Sequence, residues 1–168
     1  MRILGIDPGY ATVGYGFVDY SRLRFNVVAF GAITTPAHTP FPQRLLDIYN
    51  DMLEIIDKYK PDCLSIEKLF FNTNTTTAID VAQARGVIVL AAEMRGLKVY
   101  EYTPLQVKQA VTGYGRAEKC QVMEMVKKLL CLERVPKPED TADALALAVC
   151  HGHFSGTSYS KICLEVRK

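Results

Sequence analysis

The spacing of apolar and polar residues changes several times along the chain, and each change marks an element. Residues 2–6 are a short apolar run stopped by Asp7-Pro8-Gly9, which predicts a strand followed by a turn. Residues 12–19 and 23–34 continue with β-branched and aromatic side chains on either side of Tyr20-Ser21-Arg22. The first three strands therefore read as an antiparallel meander, and residues 36–42 as a loop. Leu45, Ile48, Tyr49, Met52, Leu53, Ile55, Ile56 and Tyr59 then form an apolar stripe at helical spacing, ended by Pro61. Residues 63–66 read as a buried strand that delivers Glu67.

Residues 78–94 are helical but apolar on more than one face, which predicts a central helix or one at a subunit interface. Residues 98–102 supply a fifth strand. Thr103-Pro104-Leu105-Gln106 has the form of a helix start, with Thr at the cap, Pro first and Gln third. Gly113-Tyr114-Gly115 interrupts, a further helix covers about residues 117–132, and a last one about 139–151. The order predicts an α/β fold: a five-stranded mixed sheet with helices on its faces. Residues 1–153 form one domain in this reading. Residues 154–168 lack periodicity and read as a flexible C-terminal tail.

Composition narrows the class. Of 168 residues, 49% are hydrophobic and 23% charged, which excludes a disordered chain. No apolar stretch approaches the roughly 20 residues that span a bilayer, and Asp7 comes too early for a signal peptide. The five cysteines are odd in number and contain no CxxC pair. That argues against a disulfide framework or zinc ribbon and for a reducing cytoplasm. A net charge of +2 says little, but its distribution says more. Residues 1–94 hold ten acids and eight bases, whereas residues 95–137 hold nine Lys/Arg and four Glu. A basic stretch beside an acidic one suits a protein that grips a polyanion and also needs carboxylates. A solvated helical face would look the same.

Four acids stand out by position. Asp7 ends the first strand and Glu67 the fourth, so they converge if those strands are neighbours. Asp140 and Asp143 lie three apart at the start of the last helix, on one face. The run Ala144-Leu145-Ala146-Leu147-Ala148 can pack that helix onto the same sheet. Two carboxylates about 4 Å apart repel by about 4 kcal/mol at an effective dielectric of 20, so four together call for cations. Hard oxygen donors select Mg²⁺ or Mn²⁺. Taken singly, Asp7 fits an ordinary turn, Glu67 a solvated strand end and Asp140 a helix start.

Gly5-Ile6-Asp7-Pro8-Gly9, Ile66-Glu67-Lys68-Leu69-Phe70, Gln83-Ala84-Arg85-Gly86, Thr103-Pro104 with Gln106-Val107-Lys108-Gln109, and Asp140-Thr141-Ala142-Asp143-Ala144-Leu145-Ala146 resemble, in order, the motifs of the RuvC Holliday junction resolvases. The resemblance covers about residues 1–153. It implies a ribonuclease-H-like fold and a homodimer that resolves four-way junctions by paired symmetric nicks. It implies two Mg²⁺ per active site, with Mn²⁺ able to substitute, held by Asp7, Glu67, Asp140 and Asp143 as catalytic metal ligands. Lys108 and Lys119 become DNA contacts, Phe70 a residue that stacks on a junction base, and a branch-migration motor a partner. The Gly113-Tyr114-Gly115-Arg116 loop reads as a DNA contact through Arg116. Phe70 as a core residue and Lys119 as the partner of a nearby Glu remain alternatives.

Three rival readings stay open at this point. Gly5-Ile6-Asp7-Pro8-Gly9 with Thr12 is similar to the first phosphate loop of sugar kinases and actin-like ATPases, but that fold needs a second half that 168 residues cannot hold. A nuclease of RNA–DNA hybrids shares the carboxylates. A non-catalytic junction-binding module would not need all four. Arg85-Gly86 reads as part of fold or dimer packing, and Cys150-His151-Gly152-His153 as structural rather than metal-binding.

Overall fold

The computed structural model describes residues 1–69 and 75–155. The strands are β1 (Arg2–Asp7), β2 (Thr12–Ser21), β3 (Arg24–Thr34), β4 (Cys63–Glu67) and β5 (Lys98–Tyr102). The helices are α1 (Phe41–Tyr59), α2 (Thr75–Met94), α3 (Pro104–Thr112), α4 (Lys119–Leu129) and α5 (Glu139–Ser155). The sheet order is β3-β2-β1-β4-β5. β1, β2 and β3 form the antiparallel meander, and β4 runs parallel to both β1 and β5. This is the expected mixed sheet, with the meander at one side and parallel strands at the other.

Alternation along the strands splits the core in two. Leu4, Ile6, Phe17, Leu64 and Ile66 point to one face, where α1 and α2 cover them with Ile48, Met52, Ile56, Ala84 and Ile88. Ile3, Val18 and Cys63 point to the other, under Leu145, Ala148 and Val149 of α5 and Val122 and Val126 of α4. Strand pleat thus turns a one-dimensional pattern into two apolar layers.

α5 lies unusually close to the sheet. A Cβ at Gly5 would sit 2.0 Å from the Ala144 carbonyl oxygen and 2.8 Å from the Ala148 nitrogen. Only glycine below and alanine above allow that approach. Two side chains fix the helix along its axis: Ser65 Oγ donates to the Leu147 carbonyl at 2.7 Å, and Thr141 Oγ1 to the Gly31 carbonyl at 3.1 Å.

Element ends depart from the sequence expectations where caps decide. α3 starts as expected, with reciprocal Thr103–Gln106 bonds. α4 begins at Lys119 rather than residue 117, because the Glu118 backbone N–H is capped by Gln121 Oε1 at 2.9 Å. It ends three residues early, where Cys131 turns to φ 51. α2 starts at Thr75; its threonines have a lower helix propensity, and they hid the first turn. α5 runs on to Ser155, four residues past the expected helix end near 151, and Phe154 stacks on Tyr102 with ring centroids 5.5 Å apart. The remainder of the expected tail, residues 156–168, lies outside the described residues.

Candidate active site

The register of β1 assembles the centre. Ile6 pairs with Ile66 in the parallel β1–β4 ladder, so the next residues, Asp7 and Glu67, emerge side by side at the strand ends. Across the antiparallel ladder Asp7 faces Gly14. On Gly14 rests the start of α5, so close that a Cβ there would lie 2.0 Å from the Asp140 carbonyl oxygen. Asp143, one turn further, lines a cleft of about 250 Å³ with Glu67, Pro104, Val107, Lys108, Lys119, Val122 and Leu147. Five elements, β1, β4, α3, α4 and α5, therefore bring four acids and two lysines to one place.

The electrostatics record the crowding. Asp7 is raised to about 7, first by burial and then by Asp143, Glu67 and Asp140. Glu67 is raised by burial and by Asp143. Asp143 is raised by burial, although the hydrogen bond from Lys119 opposes the shift. Lys119 is pushed down by burial, but its bonds to Asp143 and Glu139 outweigh that and raise it overall. Its ammonium lies 3.0 Å from Asp143 Oδ2 and 3.1 Å from Glu139 Oε2. The alternative that Lys119 pairs with a Glu on its own helix is not what the structure shows: both of its carboxylate partners lie on α5.

A set of oxygen-only donors that mutually raise one another fits hard divalent cations. As the side chains stand, no three His, Cys, Asp or Glu among the described residues converge tightly enough to enclose an ion, and Asp143 is drawn onto Lys119. Arg116 is exposed in the turn between α3 and α4. Phe70 lies outside the described residues. Cys150 and His151 are buried; His151 Nδ1 meets the Tyr102 hydroxyl at 2.7 Å, and burial lowers its ring to about 4. His153 Nδ1 bonds the Ala110 carbonyl at 2.9 Å. Both histidines pack against the fold away from the carboxylates.

Against this geometry, a family model described as Crossover junction endodeoxyribonuclease RuvC matches residues 3–151. The chain belongs to the RuvC family. It is 61% identical over 153 residues to the Crossover junction endodeoxyribonuclease RuvC of Alkaliphilus metalliredigens (strain QYMF), covering 91% of this chain and 93% of that protein. Its fold superposes on the Thermus thermophilus RuvC structure with a TM-score of 0.85 at 34% identity, covering 92% of this chain and 95% of that one. The same protein in complex with Holliday junction substrate gives 0.84 at 32% identity over the same shares. The chain is accordingly a Holliday junction resolvase with a ribonuclease-H-like fold, and like its family a metal-dependent nuclease.

The structure places two further residues of this RuvC member around the centre, neither of which the sequence analysis put there. Arg85, assigned there to fold or dimer packing, donates from Nε to the Glu67 carbonyl at 3.2 Å and pairs with Glu101. It pins the strand end from which Glu67 projects. Glu139, the second partner of Lys119, was visible as an acid four residues before Asp143, the spacing that shares a helix face. Arg85→Ala is expected to lower stability by about 1–3 kcal/mol. It should also slow single-turnover cutting about tenfold, because a loosened strand end misplaces Glu67. Thermal melts and cleavage rates at saturating junction check both; an unchanged rate would leave Arg85 a purely structural residue.

Proposed function

We propose that Asp7, Glu67, Asp140 and Asp143 hold two Mg²⁺ ions, with Mn²⁺ able to substitute, and that this centre cuts the phosphodiester of a four-way junction. What carries the reading is Asp7: it is half-buried at the meeting point of three other carboxylates and raised to about 7 by desolvation and by them. Bound ions there supply Lewis-acid activation of the attacking water and charge for the departing 3′ oxygen. The chain's own part is to fix the geometry. β1 and β4 hold Asp7 and Glu67 on rigid strand ends, and α5 holds Asp140 and Asp143 in its first turns, where the helix N-terminus favours anions.

Lys108 and Lys119 line the cleft as compact positive charges suited to phosphates beside the cut. Arg116 extends that basic rim, and Phe70, three residues after Glu67, would stack on a base freed at the crossover. Binding then rests on phosphate contacts and weakens steeply with salt.

Paired cutting needs two centres at a fixed spacing, which an isologous homodimer supplies. α2 favours this reading: its inner face buries Ala84, Ile88 and Ala91, while Ile79, Leu90 and Met94 stay exposed along the outside. Gly86 lies on that helix with open space around its Cβ position, allowing close approach of a second helix. A branch-migration motor remains an expected partner. No helix among the described residues is long and apolar enough to cross a membrane, and the free thiols of Cys63, Cys120, Cys131 and Cys150 suit a reducing cytoplasm.

The test maps nicks on all four strands of a synthetic junction, with Mg²⁺ and with EDTA, for the parent protein and for Glu67→Gln and Asp143→Asn. Paired symmetric nicks that need Mg²⁺, lost in both variants while junction binding in EDTA persists, support the assignment. Cutting that survives either substitution at more than about a tenth of the parent rate would remove that acid from the centre.

A further inference from the structure

Lys119 sits directly against Asp143. Its ammonium is shared almost equally between Asp143 Oδ2, at 3.0 Å, and Glu139 Oε2, at 3.1 Å. The two acids lie four residues apart on the first turns of α5, so they face the same way. Lys119 reaches them from the first residue of α4. Asp143 is the deeper of the two acids: its side chain is 29% exposed, whereas that of Glu139 is 69% exposed. The lysine therefore spans from the floor of the cleft to its rim, and Glu139 is not among the residues lining the floor.

We propose that Lys119 is a resident competitor for the divalent cation at Asp143, and that Glu139 is the positioning residue that receives the ammonium when the cation arrives. A divalent ion on Asp143 repels the ammonium from its present place. Glu139 already holds the other side of the same ammonium, so the lysine can leave Asp143 by a side-chain rotation while keeping a carboxylate partner. It then lies at the rim, facing the direction from which a phosphate enters. Without Glu139 the ammonium would have Asp143 as its sole carboxylate anchor and would give it up less readily. This inference rests on the proposed role of Asp143 as a metal ligand.

The experiment measures Mn²⁺ affinity of the full chain without DNA, by the electron paramagnetic resonance of free Mn²⁺, so that no cutting is involved. Both lysine and glutamate are exposed enough for Lys119→Gln and Glu139→Gln to fold, which melts will verify. Lys119→Gln should tighten Mn²⁺ about threefold to fivefold, the upper range for a half-exposed ion pair removed. Lys108→Gln removes an equal charge from the same cleft and should tighten it less than about twofold. Glu139→Gln should weaken Mn²⁺ binding about threefold to fivefold in the parent and less than about twofold when Lys119 is already Gln, a coupling that a double-mutant cycle isolates. Loss of a negative charge acting only through the general field would weaken binding equally in both backgrounds, and that result overturns the role of Glu139. Equal tightening by the two lysine variants, or none by Lys119→Gln, overturns the competition. Asp143→Asn separates the two levels. If it leaves Mn²⁺ affinity unchanged, the ligand reading and this inference fall together. If it weakens binding and Lys119→Gln does not tighten it, the inference alone fails.

Discussion

In Asp7→Asn, junction cutting should fall by more than about 10³-fold while the metal-free protein becomes more stable at pH 8. The loss of cutting follows from removing the carboxylate nearest the other three, since metal charge stabilisation amounts to several kcal/mol. The gain in stability follows from the same crowding. Asp7 ordinarily titrates near 3.8 and is raised to about 7 in the fold, by burial first and then by its neighbours. A carboxyl whose folded value exceeds its unfolded one holds its proton more tightly when folded. Its favourable contribution is present below about pH 4 and is lost as pH rises through about 7. A shift of roughly three units corresponds to about 4 kcal/mol as an upper bound, and screening in the open cleft reduces the expected gain to about 2–3 kcal/mol.

Melts with EDTA should thus show parent and variant alike near pH 4. At pH 8 the variant should melt roughly 5–10 °C higher. Mg²⁺ should raise the parent at pH 8 and leave the variant nearly unmoved, because a ligand stabilises only the state that binds it. A variant that still cuts at a tenth of the parent rate, or whose stability advantage does not grow between pH 4 and pH 8, would move Asp7 away from the centre.

Gly14→Ala should disable the enzyme without touching any acid. The added methyl would lie 2.0 Å from the Asp140 carbonyl oxygen, 2.3 Å from its carbon and 2.9 Å from the Thr141 nitrogen. All three are backbone atoms, so no side-chain rotation relieves the clash, and the start of α5 must lift from β2. Overpacking of this kind costs typically about 1–3 kcal/mol, and a displacement near 1 Å costs about 10²-fold in rate. Cutting should therefore fall about 10²-fold or more. Junction affinity in EDTA should change little, because Lys108 and Arg116 sit on other elements. Wild-type cutting by a folded Gly14→Ala protein would mean that the acids of α5 need no fixed distance from Asp7.

Such effects separate what a chain declares from what its fold decides. Element types were legible because each has a local signature: a short apolar run before a turn for β1, β-branched and aromatic residues for β2 and β3, a period of 3.6 for α1, and a capping box for Thr103–Gln106. Asp7, Glu67, Asp140 and Asp143 could be nominated because each ends a strand or opens a helix. Ordered motifs also carried the family resemblance, since sequence order survives without knowledge of distance. Helix ends were less legible: Glu118 starts α4 and Cys131 closes it through a cap and a positive φ that no periodicity announces.

Only the tertiary structure could decide the rest. The parallel pairing of β1 with β4, contributed by residues sixty positions apart, is what turns two strand-end acids into neighbours. The contacts of Arg85 with Glu67 and of Lys119 with Glu139 also join distant segments, and nothing local encodes them. Gly5 and Gly14 read as ordinary strand residues until α5 is laid across them. Composition and spacing set which groups are available; the sheet register and the close seat of α5 set the distances between them. Electrostatic repulsion, metal affinity and catalysis depend on those distances, and so the chemistry of the site belongs to the fold.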